Sequence, residues 1–201
     1  MKKTLTLFSY LFHPIFIPLF GALFYFFYNE NYFEDIQKYL ILFQIIIITI
    51  LIPVSFFYLL KTLGKVDSIM VKDLSQRKIP LIIQSALLLI LVTKGITFSR
   101  IPELFYFLIG GLWSTLITLA LLFGKIKASI HMLGISSLTA FVIGLSIHNQ
   151  VNITYIISFL IVMNGLLAAS RIVMNAHSNN ELAIGFFVGM LPQIILWCFW
   201  L

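Results

Sequence analysis

Seven apolar segments follow one another along this chain of 201 residues, at 7–28, 39–60, 80–97, 104–124, 129–147, 153–171 and 181–201. A helix that crosses a bilayer needs about 20 such residues, so seven of them would use about 140 positions and leave no room for a separate soluble domain. The chain is therefore predicted to be all-α, a single domain over 1–201 forming an integral membrane bundle of six or seven spans. The first and third segments are the weakest, because Pro14 and Pro18 interrupt one and the other is short and carries Gln84. Composition agrees: 61% of residues are hydrophobic and 10% charged, against about 45–50% and about 25% in soluble domains. Disorder, a disulfide scaffold and an ordinary soluble enzyme are excluded; Cys198 is the single cysteine and lies in the last apolar stretch. The opening Met1-Lys2-Lys3 is expected to lead into a retained segment, since no small-residue cleavage site follows.

The net charge of +6 is not spread as a nucleic-acid binder would spread it. The basic residues flank the spans, where topology and lipid phosphates explain them, so membrane lipids and no nucleic acid are the expected partners. If every segment crosses, the loops after the second, fourth and sixth emerge together. They hold Lys72, Arg77 and Lys78, then Lys127, Ser129 and His131, then Arg171, His177 and Glu181. Lys2, Lys3, Lys61, Lys65 and Lys125 share that side, with only Lys38, Lys94 and Arg100 opposite. The positive-inside rule makes this face cytoplasmic and sends the C-terminus to the other side. It accounts for cations but not for histidines. Pro80 suits the first turn of the third span, and Ser129 the start of the fifth.

His177 and Glu181 are i and i+4, hence on one face of a helix. A carboxylate there holds one imidazole nitrogen and leaves the other free to attack, the logic of a catalytic triad without a serine. Arg171 lies six positions earlier, about 120° away on a continuous helix, so convergence needs a break between them. Asn175 and Ser178-Asn179-Asn180 supply candidates. Arginine is shaped to grip a phosphate with two parallel hydrogen bonds. The helix start at Lys127-Ala128-Ser129-Ile130-His131 suits an anion through its free N–H groups, with a histidine positioned for proton transfer.

Together these residues resemble the type 2 phosphatidic acid phosphatase superfamily, in its divergent bacterial membrane-bound branch. The family's third motif, Ser-Arg-x5-His-x3-Asp, matches at Ser170, Arg171 and His177, with Glu181 in place of Asp. Its second, Pro-Ser-Gly-His, matches at Ser129 and His131, with Ala128 and Ile130 replacing Pro and Gly. Its first, Lys-x6-Arg-Pro, matches at Lys72 and Pro80, with Ile79 at the Arg position. The resemblance implies a metal-independent, cofactor-free phosphatase of the bacterial cytoplasmic membrane. Its substrate would be a lipid phosphate or diphosphate drawn from the bilayer, such as an isoprenyl diphosphate, phosphatidate or phosphatidylglycerophosphate. His177 would form a phosphohistidine and Glu181 orient it. His131 would be the acid and then the base, while Lys72, Arg171 and Ser129 hold phosphoryl oxygens. Arg77 and Lys78 read most simply as topology charges. With Ile79 at the arginine position, Arg77, Lys78 or Lys127 would have to replace the lost clamp.

Blander readings apply residue by residue. Glu181 suits a helix first turn, Ser129 a helix cap, and His13, beside Pro14, a structural role. Trp197 and Trp200 suit an interfacial aromatic belt, and Gly134, Gly144, Gly185 and Gly189 close packing between helices. A metal held by His177, Glu181 and His131 is disfavoured by the neighbouring cations. The rival function is a lipid-phosphate binder or transporter that keeps the cationic pocket without cutting.

Overall fold

His13-Pro14 ends the first helix. Proline at 14 disfavours helical geometry in the residue before it, and His13 is extended, at φ −63 and ψ 135. The structure, a computed structural model, describes residues 2–29, 33–67 and 74–201. It divides the first apolar segment into α1 (Lys2–Leu11), a 3₁₀ turn at Pro14–Phe16 and α2 (Ile17–Tyr28). The apolar helix that continues, Pro14–Tyr28, is shorter than the others. Six helices among the described residues are long and apolar enough to cross a membrane: Asp35–Thr62, Gln76–Gly95, Pro102–Phe123, Ile130–His148, Thr154–Val173 and Asn179–Phe199. No strand occurs among the described residues. The chain is an all-α integral membrane bundle.

The first long span joins α3 (Asp35–Ile46) and α4 (Ile52–Thr62) through a π turn at Ile47–Leu51. Pro53 explains the irregularity, because it has no N–H to offer the carbonyl one turn earlier. The next span, α5 (Leu74–Ile90), departs from expectation. It begins before the predicted start, so Pro80 lies inside the helix rather than in its first turn. A single missing hydrogen bond is tolerated in a membrane helix when neighbouring groups compensate.

The remaining spans are α6 (Pro102–Phe123), α7 (Ile130–His148), α8 (Thr154–Val173) and α9 (Asn179–Leu196). α7 is the central helix, buried on nearly all sides and packed against α2, α6, α8 and α9. Its apolar residues are spread around the whole circumference, as in a helix surrounded by others. Its closest neighbour is α9, and small residues permit the approach. A Cβ at Gly185 would collide with the Ser129 backbone, and one at Gly189 with the Leu133 carbonyl and the Ser136 hydroxyl. Without a hydrophobic drive between helices in lipid, such close packing and interhelical hydrogen bonds hold the bundle together. The Ser136 hydroxyl donates to the Phe186 carbonyl at 2.9 Å and the Ser114 hydroxyl to the Val188 carbonyl at 2.8 Å. The Gln193 amide donates to the Phe107 carbonyl at 2.9 Å and the Ser137 hydroxyl at 2.8 Å, tying α9 to α6 and α7.

Gly189→Leu is accordingly expected to destabilise the bundle by about 1–3 kcal/mol through overpacking of this contact. Thermal unfolding in detergent would register it as a lowered midpoint. An unchanged midpoint would mean that α7 and α9 are not so closely apposed.

Candidate active site

The span ends of one face converge through backbone contacts that loops alone would not supply. The Ser129 N–H donates to the Glu181 carbonyl at 3.0 Å, joining the starts of α7 and α9. Between α8 and α9 the chain breaks at Asn175, whose φ of 49 is left-handed, a conformation that asparagine tolerates. The break turns His177 back over the bundle. Ser178 then caps α9, its hydroxyl accepting from the Glu181 N–H at 3.4 Å.

His177 and Glu181 meet, but not along one helix face as expected: His177 precedes the Ser178 cap and reaches Glu181 from the connection before α9. The imidazole Nδ1 lies 2.6 Å from Glu181 Oε2. A carboxylate only accepts, so Nδ1 carries the proton and Nε2 keeps its lone pair. Burial pushes the His177 imidazole down to about 4; Arg77, Lys127 and Arg171 act in the same direction, against the hydrogen bond to Glu181. The ring is thus neutral at pH 7, with an unprotonated nitrogen available as a nucleophile.

His177 lines a cavity of about 550 Å³ together with Arg77, Arg171, His131, His13 and Tyr10. The rest of the wall is mostly apolar, including Phe57, Leu88, Phe107 and Leu108. Arg77 and Leu88 both lie on the wall, eleven positions apart on α5, a depth of about 16 Å at 1.5 Å per residue. That is about half the thickness of a bilayer's hydrocarbon core. The cavity joins a cationic, histidine-bearing end to an apolar remainder. Such a combination suits an amphiphile with an anionic head.

The other expected site residues divide. Arg171 is 3% exposed and lies on the cavity wall. His131 lies there too, its Nε2–H donating to the Ser9 carbonyl at 3.1 Å, which leaves Nδ1 for chemistry. Ser129 is fully buried against α9 and caps α7, accepting from the Met132 N–H at 3.5 Å; it does not line the cavity. Lys127 also stands outside it, bonded to the Ala176 carbonyl at 2.9 Å and paired with Glu181 at 3.4 Å. It braces the His177–Glu181 unit from behind. Ser170 is turned toward α1, with its hydroxyl 2.7 Å from that of Ser9. Lys72 lies outside the described residues.

Arg77, read from sequence first as a topology charge, is 5% exposed and bonded to the Ala128 carbonyl at 3.0 Å. Lys78 instead lies over the Phe123 ring, and Ile79 is 40% exposed on the outside of the bundle. The early start of α5 explains the exchange. Residues 77, 80, 81, 84 and 88 fall on one helical face, and all five line the cavity. Sequence reasoning missed His13 and Tyr10 at the wall. The signal was present in the His13-Pro14 break, which turns the end of α1 in toward α7.

No three His, Cys, Asp or Glu side chains among the described residues are grouped closely enough to hold a metal. In comparisons with family models, curated proteins and solved structures, the chain matches none.

Proposed function

We propose that the chain is a membrane-embedded lipid phosphate or diphosphate phosphatase that works through a phosphohistidine on His177. The observation that carries this reading is the neutral His177 held at Nδ1 by Glu181, on the wall of a cavity shared with Arg77 and Arg171 and otherwise mostly apolar. The substrate places its headgroup at the cationic end and its chain in the apolar remainder. The Nε2 lone pair attacks phosphorus, an N–P bond forms and the P–O bond to the lipid breaks. His131 takes up a proton at Nδ1 from the singly protonated headgroup and gives it to the departing oxygen. Water then attacks the phosphohistidine, His131 takes a proton from it, and the N–P bond breaks to release phosphate. Arg77 and Arg171 hold the charge that gathers on the phosphoryl oxygens. The resemblance to type 2 phosphatidic acid phosphatases supports the same assignment of His177, His131 and Arg171. The cationic end faces the cytoplasm of a bacterial inner membrane by the positive-inside rule, and a periplasm-only reporter fused after Leu201 should be active.

The test is phosphate release by the purified protein in detergent with EDTA, from a panel of lipid phosphates and diphosphates. Release that survives EDTA supports the reading. Release that EDTA abolishes would transfer the chemistry to a metal. Absence of release, with lipid phosphate still bound, would leave a binding protein.

The protonation of His177 gives a second expectation. Attack needs the unprotonated ring, so kcat/KM should fail as pH drops past the His177 pKa of about 4. Lys127 lowers that pKa and Glu181 raises it. Lys127→Ala should therefore move the acid limb to higher pH, and Glu181→Gln to lower pH. Identical acid limbs in all three proteins would show that another group sets it.

A further inference from the structure

Three histidines, not two, line the cavity, and the third has no part in the mechanism above. His13 stands where α1 gives way to the Pro14–Phe16 turn. Its ring meets that of His131 edge-on, with centroids 5.2 Å apart. Close packing sets this position, because Gly134 on α7 admits Ile17 and Pro14 where a Cβ would press on the Ile17 side chain.

The hydrogen bonds of the two rings differ in a way that fixes their chemistry. His131 donates Nε2–H to the Ser9 carbonyl, leaving Nδ1 to exchange a proton. His13 does the reverse: its Nδ1 accepts the Ile15 N–H at 3.4 Å. An N–H can bond only a lone pair, so Nδ1 of His13 is unprotonated and the proton of the neutral ring is on Nε2. No protein group among the described residues accepts that proton. His13 therefore brings an uncommitted N–H donor to the cavity wall that also carries Arg77 and Arg171.

Resting on the phosphatase reading, we infer that His13 is a further phosphate-binding residue, donating its Nε2–H to a phosphoryl oxygen as a neutral imidazole. The motif comparison leaves the site one arginine short at Ile79 and one close-approach glycine short at Ile130. His13 adds a donor from outside all three motifs. It is not an acid: giving up Nε2–H from a neutral ring would leave an imidazolate.

Glutamine can place an amide N–H near the Nε2 position, asparagine only near Nδ1, and phenylalanine nowhere. Binding of inorganic phosphate by calorimetry, and KM for a lipid phosphate, should be measured for wild type, His13→Gln, His13→Asn and His13→Phe. Phosphate affinity should fall about tenfold or more in His13→Phe and His13→Asn, the scale of one hydrogen bond to a charged group. His13→Gln should stay within about threefold of wild type, on the same scale. KM should follow affinity, while kcat changes less. Wild-type affinity in His13→Phe would overturn the inference. So would a loss in His13→Gln as large as in His13→Phe, since the ring would then act by titrating or packing. The pair of Asn and Gln variants, both polar and non-titrating, keeps the test decisive if the Phe variant fails to fold. Should the wild type neither cut lipid phosphate nor bind inorganic phosphate, the phosphatase reading falls too; with wild-type activity intact, only the role of His13 is at stake.

Discussion

Replacing His177 with alanine is expected to lower phosphate release by at least about 10³-fold, the scale seen when a nucleophile is removed from a catalytic unit. The loss should be in kcat, because Arg77 and Arg171 remain in the cavity to bind the headgroup. Folding should survive, since His177 sits in the α8–α9 connection rather than in the α7–α9 contact. Lipid phosphate that stays bound without being cut would be the signature. Undiminished turnover in the mutant would remove the phosphohistidine from the mechanism. Glu181→Gln should fall between wild type and His177→Ala. It keeps a hydrogen-bond acceptor for Nδ1–H but loses the negative charge that stabilises the ring once phosphorus is attached.

The second large effect is expected at Arg77. Arg77→Ala should lower kcat/KM by about 10²–10³-fold, the scale of one lost electrostatic donor at a reacting centre. Lys78→Ala, one residue on, should change it little, because Lys78 rests on Phe123. Arg77→Lys should recover only part of the loss, since an ammonium cannot make the two parallel bonds of a guanidinium. Equal effects at 77 and 78 would mean that both act through the general charge of the face. That result would return Arg77 to the role its sequence position first suggested.

Arg77 also shows how far this molecule was legible beforehand. The apolar segments located the spans to within a few residues, because lipid leaves helices as the only continuous solution for them. Spacing likewise foretold His177 with Glu181, although the contact is made from the connection before the Ser178 cap and not along a shared helix face. The start of α5 was not legible. Arg77, Lys78 and Pro80 read as a loop ending at a first-turn proline, yet the helix begins at Leu74 and carries Arg77 inward. Position 79, where the motif expects an arginine, turns outward on the same helix. Proline at a helix start and proline inside a membrane helix look alike in sequence, since compensation comes from other parts of the bundle.

The other differences have the same origin. Ser129 has the right residue type for either a cap or a phosphate ligand. Packing of Gly185 against its backbone and its bond to the Met132 N–H turn it into a cap. His13 read as structural because its neighbours are apolar and proline follows. The contact with His131 depends on the close approach of α2 to α7 at Gly134, and such long-range packing leaves no periodic trace. Lys127 kept its charge role but changed its partner, from phosphate to Glu181.

The most direct measurement is to stop turnover within milliseconds in alkali, where phosphohistidine survives, and to search the digested protein for phosphate by mass spectrometry. The mechanism requires an alkali-stable, acid-labile phosphate on the peptide containing His177, absent in His177→Ala. Turnover with no phosphorylated peptide, or with phosphate on any other residue, would contradict it.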